Sequence, residues 1–160
     1  MDMKSQRKVS LVGSEEPLAE IMAKITSALL GNGPALAFGP VKSSFAPDSI
    51  AVVVTTTGST GVAKEVALTA QAVTASAQAS HKFLGATIGQ RWSLLLPLTH
   101  IAGVNVLVRS IELQSEPIDL RNFEGEYPRA DFTAIVPTQL TAHYMVMKDC
   151  CVTYSLLKLY

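Results

Sequence analysis

An apolar strand candidate in this sequence runs directly into a loop rich in hydroxyls and glycine, and this junction constrains the fold more than any other feature. Residues Ile50–Val54 are all Ile, Ala or Val, which is typical of a buried strand. The next segment, Thr55–Lys64, opens with seven Thr, Ser or Gly residues and ends in lysine. Glycines let backbone N–H groups approach a ligand, while hydroxyls and lysine add donors and positive charge. The segment therefore predicts a nucleotide-phosphate loop, although such a segment after a strand is more often a simple turn.

The spacing within this segment does not fit the P-loop pattern G-x-x-x-x-G-K-[ST]. Counted from Gly58, the second glycine of that pattern falls on Ala63 and its Ser or Thr falls on Glu65. The segment instead resembles the phosphate loop of the adenylate-forming acyl-CoA synthetase superfamily, Thr-Ser-Gly-Ser-Thr-Gly-x-Pro-Lys-Gly, with Thr57 for Ser and with Ala63 and Glu65 as departures. The resemblance implies that the ATP phosphates are bound by Thr56, Thr57, Gly58, Ser59, Thr60, Gly61 and Lys64. Because Glu65 adds negative charge where the family has glycine, we expect weakened ATP binding that Glu65→Gly should tighten.

Strand and helix patterns alternate along the chain. The predicted helices cover residues 14–30, 69–83 and 100–113, with another beginning near residue 138. The predicted strands cover residues 35–38, 50–55, 64–68, 91–96, 117–120 and 132–136. Ser14 and Thr69 are the expected N-caps of the first two helices, and Gly85 closes the second. The alternation favours an α/β fold with a layered, mostly parallel sheet and flanking helices.

A second motif follows the predicted strand that ends near Pro97. The residues from Leu96 to Gly103 read Leu-Pro-Leu-x-His-x-x-Gly, which resembles a second motif of the same superfamily. A lone histidine beside apolar residues, such as His100, is more often a satisfied core histidine than a functional one. The resemblance implies instead that His100 lies beside the acyl substrate and that Gly103 lets the substrate approach the helix.

Arg109 is a lone charge in the otherwise apolar helix that follows His100. A buried guanidinium without an anion is costly, so Arg109 should meet a carboxylate. A structural pair with Glu112 or Asp119 is one reading, and a contact with a substrate carboxylate is the other. The spacing His-x-x-Gly-x-x-x-Leu-x-Arg and the segment Ile135–Leu140 resemble the superfamily branch that handles o-succinylbenzoate, an aromatic dicarboxylic acid of menaquinone synthesis.

Composition excludes several classes of partner. Thirteen basic residues balance thirteen acidic ones, and charged residues make up only 16% of the chain, so we expect no nucleic-acid surface. No signal peptide and no run of about 18 apolar residues is present, so we expect no stable membrane insertion. Cys150 and Cys151 are the only cysteines, which favours the reducing cytoplasm, and no metal-ligand spacing is found.

The resemblance implies a two-step reaction with small-molecule substrates. A carboxylate attacks the α-phosphate of ATP to give an acyl-adenylate and pyrophosphate, and the thiol of coenzyme A then displaces AMP. The implied requirements are ATP, Mg²⁺ and coenzyme A, with Lys64 and His100 as the catalytic residues. Another aromatic or fatty acid remains an alternative to o-succinylbenzoate.

The resemblance covers roughly residues 45–145. We therefore assign residues 1–147 to part of an N-terminal AMP-binding domain and leave residues 148–160 as an unmatched tail. The family's Tyr-Gly-x-Thr-Glu segment, ribose-binding Asp and C-terminal domain with a catalytic Lys have no match, as a premature stop, a frameshift or a shortened chain would explain. We expect this chain alone to be inactive as a ligase, and a non-catalytic remnant or nucleotide-binding fragment is the second hypothesis.

Overall fold

Eight strands and three helices follow one another in the part of the chain described by this computed structural model, namely residues 5–57, 63–125, 128–136 and 139. The elements are β1 Gln6–Leu11, α1 Leu18–Leu29, β2 Ala35–Phe38, β3 Phe45–Pro47, β4 Ile50–Thr57, β5 Ala63–Thr69, α2 Ala70–Leu84, β6 Trp92–Leu94, α3 Ile101–Glu112, β7 Ile118–Asp119 and β8 Phe132–Thr133. The predicted helix near Thr138 and the tail from residue 148 lie outside the described residues.

The larger sheet has five strands in the order β3-β1-β2-β4-β5. Its centre is parallel, because β2 pairs in parallel with both β1 and β4. Its two edge strands are antiparallel, with β3 beside β1 and β5 beside β4. The carboxyl ends of β1, β2 and β4 therefore meet at one edge, and the segment 58–62 joins β4 to β5 at that edge.

The smaller sheet has three parallel strands in the order β7-β6-β8. The chain leaves the central strand β6 through α3 to β7 on one side, and β8 then pairs on the other side. The carboxyl end of β6 is thus a point where the strand order reverses, and ligands of open α/β sheets bind at such points.

One apolar cluster connects the two sheets with all three helices. It includes Ile21 and Ile25 of α1, Val52 and Val54 of β4, Val73 and Ala77 of α2, Trp92 and Leu94 of β6, and Val104 and Leu107 of α3. The helices therefore lie between the sheets, because each sheet buries one apolar face against the helical layer. A smaller cluster of Ala35, Ala46, Ile50 and Val53 covers the other face of the larger sheet.

Local capping chemistry explains which helix predictions are right. The side chain of Thr69 accepts a hydrogen bond from the Ala72 N–H at 3.1 Å, and Gly85 ends α2 with a left-handed φ of 66°. Helix α2 begins directly at the residue after β5. The predicted start of α1 at Ser14 is wrong, because residues 14–16 form a turn and Pro17 occupies the N-cap position.

The layered α/β fold is confirmed, and four of the six strand pairings are parallel. Two features differ from the prediction. The strands form two sheets rather than one, and β1 and β3 occupy segments that we had left without strands. Both pair through contacts distant in sequence, such as Arg7 with Ala46, which no local pattern reveals.

Candidate functional site

The predicted phosphate loop emerges from an antiparallel hairpin formed by β4 and β5. The strands stay paired to their ends, where Thr57 lies opposite Ala63. Gly58, Ser59, Thr60 and Gly61 lie outside the described residues, so their predicted phosphate contacts stay predictions. The hairpin nevertheless fixes where the loop begins and ends, at the carboxyl edge of the larger sheet.

One face of this hairpin carries Thr56 and Lys64, which are direct cross-strand partners. The Thr56 hydroxyl donates to the Lys64 carbonyl oxygen at 3.4 Å. Side chains alternate along a strand, so this pair lies on the same side as Val54, which packs against the helices. Lys64 is exposed and has no ion pair within the described residues, so its ammonium is available to an anion.

The opposite face of the hairpin carries Thr55 and Glu65, which are also cross-strand partners. The Thr55 hydroxyl donates to the Pro40 carbonyl oxygen at 2.6 Å. The Glu65 carboxylate accepts hydrogen bonds from the Ser43 hydroxyl at 2.5 Å and from the Lys42 N–H. These bonds, that of Ser43 first, hold the pKa of the Glu65 carboxyl below its usual value. The carboxylate is thus directed away from Lys64, which weakens the basis for expecting it to repel phosphate.

The second predicted motif lies at the carboxyl edge of the smaller sheet. His100 is the N-cap residue of α3, with extended backbone angles, and its exposed side chain makes no capping hydrogen bond. An open hollow of about 250 Å³, lined by Asp119, Asn122 and Phe123, lies at the same edge, after β7. His100 is therefore not a core histidine, and its imidazole is accessible to a substrate.

Backbone packing alone requires a glycine at position 103. A Cβ added there would lie 2.4 Å from the Pro97 carbonyl oxygen and 2.8 Å from that of Leu96. The absent side chain lets the first turn of α3 lie directly on the segment that leaves β6. Substrate approach at Gly103 stays a prediction beside this packing role.

Gln139 lies in the motif Ile135–Leu140, and its side chain connects two segments of the smaller sheet. Its side-chain amide donates to the Leu95 carbonyl oxygen and accepts from the Val136 N–H, both at 3.3 Å. It thereby ties the chain after β8 to the chain after β6. The motif pointed to this segment, but the contact with Leu95 could not be predicted from the sequence because it depends on β8 pairing with β6.

Arg109 pairs with an aromatic ring rather than with a protein carboxylate. Its guanidinium carbon lies 4.9 Å from the centroid of the Trp92 ring, a cation–π distance. Neither predicted carboxylate pairs with it in the described residues, because Glu112 accepts from Gln78 and Asp119 is bound by Arg121. Burial lowers the pKa of Arg109. Its Nε is buried and has no hydrogen-bond partner among the described residues.

His81 completes this cluster and was missed from the sequence. The Trp92 indole N–H donates to His81 Nε2 at 3.4 Å. The ring centroids of Trp92 on β6 and Phe132 on β8 are 5.0 Å apart. Burial first, and the Arg109 charge second, lower the pKa of His81, against a smaller opposing effect of Glu112. The sequence did contain a sign of its burial, because Val73, Ala77 and His81 follow one another at intervals of four residues on α2.

The lowered pKa of His81 predicts a pH-dependent stability. Above pH of about 6.5 the imidazole is neutral in both the folded and unfolded states, so it adds no pH dependence. As the pH falls below that value, the unfolded state binds a proton first, so the free energy of unfolding decreases until the folded state is also protonated. Urea unfolding between pH 7.5 and 5 should show this decrease. The variant His81→Gln, which keeps an acceptor for Trp92, should lose it, and equal slopes in both proteins would contradict the assignment.

The described residues place the predicted site residues in two regions. Lys64 and Thr56 lie at the carboxyl edge of the larger sheet, and His100 lies at that of the smaller sheet. His100 is exposed, whereas Arg109 packs on Trp92 nine residues later in the same helix, so the two do not share one environment. No helix in the described part of the chain is long and apolar enough to span a membrane.

A family model described as AMP-binding enzyme matches residues 2–111 of this chain. A Mycobacterium tuberculosis protein named as a probable 2-succinylbenzoate–CoA ligase is 43% identical over 105 residues, covering 58% of this chain and 27% of that protein. A Lactococcus lactis 2-succinylbenzoate–CoA ligase is 25% identical over 108 residues, covering 63% of this chain and 24% of that protein. The chain thus spans about a quarter of the length of these curated relatives.

A solved structure has the same local fold. It is an acyl-CoA synthetase (AMP-forming)/AMP-acid ligase II-like protein from Dyadobacter fermentans, with 32% sequence identity and a TM-score of 0.51. The match covers 61% of this chain and 28% of that one.

Proposed function

Because this chain belongs to the AMP-binding enzyme family, we propose that it supplies phosphate-binding and acyl-binding residues of an ATP-dependent acid–CoA ligase. The observation that carries this proposal is the hairpin β4–β5. Thr56 and Lys64 are paired across its strands, next to the two ends of the Gly/Ser/Thr loop. Lys64 is exposed and has no ion pair in the described residues. A loop of this composition on a rigid hairpin suits the β- and γ-phosphates of ATP, with Mg²⁺ sharing their charge.

The proposed reaction joins the carboxylate of an acid to AMP and then transfers the acyl group to sulfur. The acid's carboxylate oxygen attacks the α-phosphorus, the bond to the bridging oxygen breaks, and pyrophosphate leaves. The thiol of coenzyme A loses its proton and attacks the acyl carbon, releasing AMP and forming the thioester. Lys64 would neutralise phosphate charge, and His100 would lie near the reacting carboxyl, where positioning and charge stabilisation lower the barrier.

The proposed acid is 2-succinylbenzoate, which carries two carboxylates. The support is the name of the 43% identical relative, together with the spacing of His100, Gly103 and Arg109. One carboxylate would be activated and the other would need a cation, and Arg109 has no carboxylate partner in the described residues. With this substrate, the chain would serve menaquinone synthesis in the cytoplasm.

Lys64→Ala tests the phosphate site. We expect the dissociation constant for Mg²⁺–ATP to rise about tenfold or more, because a charge-assisted contact contributes roughly 1.5–3 kcal/mol. Isothermal titration calorimetry on the purified chain measures this change. Lys82→Ala is the matched control, since Lys82 is an exposed lysine at the far end of α2 and should leave ATP binding unchanged. Equal ATP affinity in Lys64→Ala and wild type would remove Lys64 from the site.

The same preparation distinguishes a ligase from a nucleotide-binding fragment. Adding 2-succinylbenzoate and coenzyme A to the ATP complex allows AMP and thioester to be followed by chromatography. Thioester formation would show that this chain completes the ligase reaction by itself, and ATP binding without product, which we expect of the chain alone, would show that it only binds the nucleotide. Absence of ATP binding by the wild-type chain would refute both.

A further inference from the structure

Residues 39–43, here called the connector, pass along the hairpin face that carries Thr55 and Glu65. The connector begins where β2 ends and leads towards β3, so it lies at the same carboxyl edge as the loop. Three hydrogen bonds join it to the hairpin: Thr55 to the Pro40 carbonyl oxygen, and the Lys42 N–H and Ser43 hydroxyl to the Glu65 carboxylate. The hairpin is therefore attached to the connector on the face that carries Thr55 and Glu65, whereas Thr56 and Lys64 are exposed on the other face.

Both oxygens of Glu65 are used in this attachment. One accepts from the Lys42 N–H and the other from the Ser43 hydroxyl. Hydrogen bonds to an ionised acceptor are stronger than those between neutral groups. A glycine at this position, as in the family pattern, would leave the Lys42 N–H and the Ser43 hydroxyl without this acceptor.

We propose that Glu65 is a positioning residue, which clamps the connector to the hairpin and thereby holds in place the ends of β4 and β5, between which the predicted phosphate loop lies. The inference rests on the proposed ATP site. Thr55 and Glu65 are only two residues from the hairpin ends Thr57 and Ala63, so the clamp acts directly at the base of the loop. A base that is already ordered has less conformational entropy to lose when phosphate binds.

Repulsion of phosphate is the competing role for Glu65, and it predicts the opposite result. Lys64 and Glu65 are consecutive strand residues, so their side chains leave on opposite faces. The Glu65 carboxylate also meets two donors on its own face. Under repulsion, removing the charge tightens ATP binding, whereas under clamping it weakens ATP binding unless the hydrogen bonds are kept.

The test compares three variants of residue 65 in the full chain. Glu65→Gly and Glu65→Thr should each raise the dissociation constant for Mg²⁺–ATP about three- to tenfold. The threonine variant keeps a side chain suited to a strand, so it separates loss of the clamp from loosening of the strand by glycine. Glu65→Gln removes the charge but keeps an acceptor for the Lys42 N–H, and its ATP affinity should stay within about twofold of wild type. Tighter binding in all three variants would overturn the proposal in favour of repulsion.

Amide hydrogen exchange at Lys42 gives a readout that does not depend on ATP. Its protection should fall about tenfold in Glu65→Gly and Glu65→Thr and persist in Glu65→Gln, while amides of α3 stay unchanged. Unchanged protection of Lys42 in the first two variants would refute the clamp. If the wild-type chain does not bind ATP, the proposed function fails, and the Lys42 amide still decides whether the clamp exists.

Discussion

Replacing Gly103 by alanine should lower the free energy of unfolding by about 3 kcal/mol, the upper part of the range for overpacking. The added methyl group would lie 2.4 Å from the Pro97 carbonyl oxygen, and the obstacle is backbone that cannot rotate away. Helix α3 would have to move off the segment leaving β6, which also carries His100. Urea unfolding followed by circular dichroism measures the loss.

Gly85→Ala is the control for this substitution. A Cβ at Gly85 would meet nothing within 4 Å, so its cost comes only from the left-handed backbone, roughly 1–2 kcal/mol. Gly103→Ala should therefore be the more destabilising of the two changes. A smaller loss in Gly103→Ala than in Gly85→Ala would show that α3 adjusts without strain.

Trp92→Ala should have the largest effect on stability, about 3–5 kcal/mol. The indole ring is buried between the layers, carries the Arg109 guanidinium on its face and stacks near Phe132. Its removal opens a cavity and leaves the guanidinium without its ring. Since Trp92 is the sole tryptophan, unfolding of this variant is followed by circular dichroism.

Trp92→Phe separates the ring from its N–H group. This variant keeps an aromatic face for Arg109 but loses the hydrogen bond to His81 Nε2 and part of the buried ring, so a loss of about 1–2 kcal/mol is expected. If phenylalanine and alanine destabilise equally, the His81 contact rather than the ring holds this region together.

Sequence patterns predicted the elements whose causes are local. Helix α2 was predicted from its cap Thr69 and its terminating Gly85, and β4 from an uninterrupted run of Ile, Ala and Val. Strand β1 was missed because it is polar and mostly exposed, with Arg7 and Lys8 in its middle. Its existence depends on pairing with β2 and β3, which no residue within the segment encodes.

The site likewise has features that followed from the sequence and features that depend on contacts distant in sequence. The hairpin beneath the phosphate loop followed from its motif, and the structure gives Lys64 the exposed position expected of it. The partner of Arg109 did not follow, because a carboxylate within its own helix was the obvious choice by charge. Trp92 lies on a strand seventeen residues earlier and meets Arg109 only when β6 packs against α3. The direction of the Glu65 carboxylate did not follow from the sequence, because it depends on the connector.

The direct passage from β5 into α2 has a mechanical consequence. No linker residue separates Thr69 from Ala70, so the strand bearing Lys64 and the helix bearing His81 form one unbroken piece of backbone. At 1.5 Å per residue, α2 is about 22 Å long. One end of the helix continues directly from the hairpin, and His81 near the other end contacts the only tryptophan in the chain. One helix therefore connects the hairpin strand that bears Lys64 with the ring on which Arg109 packs.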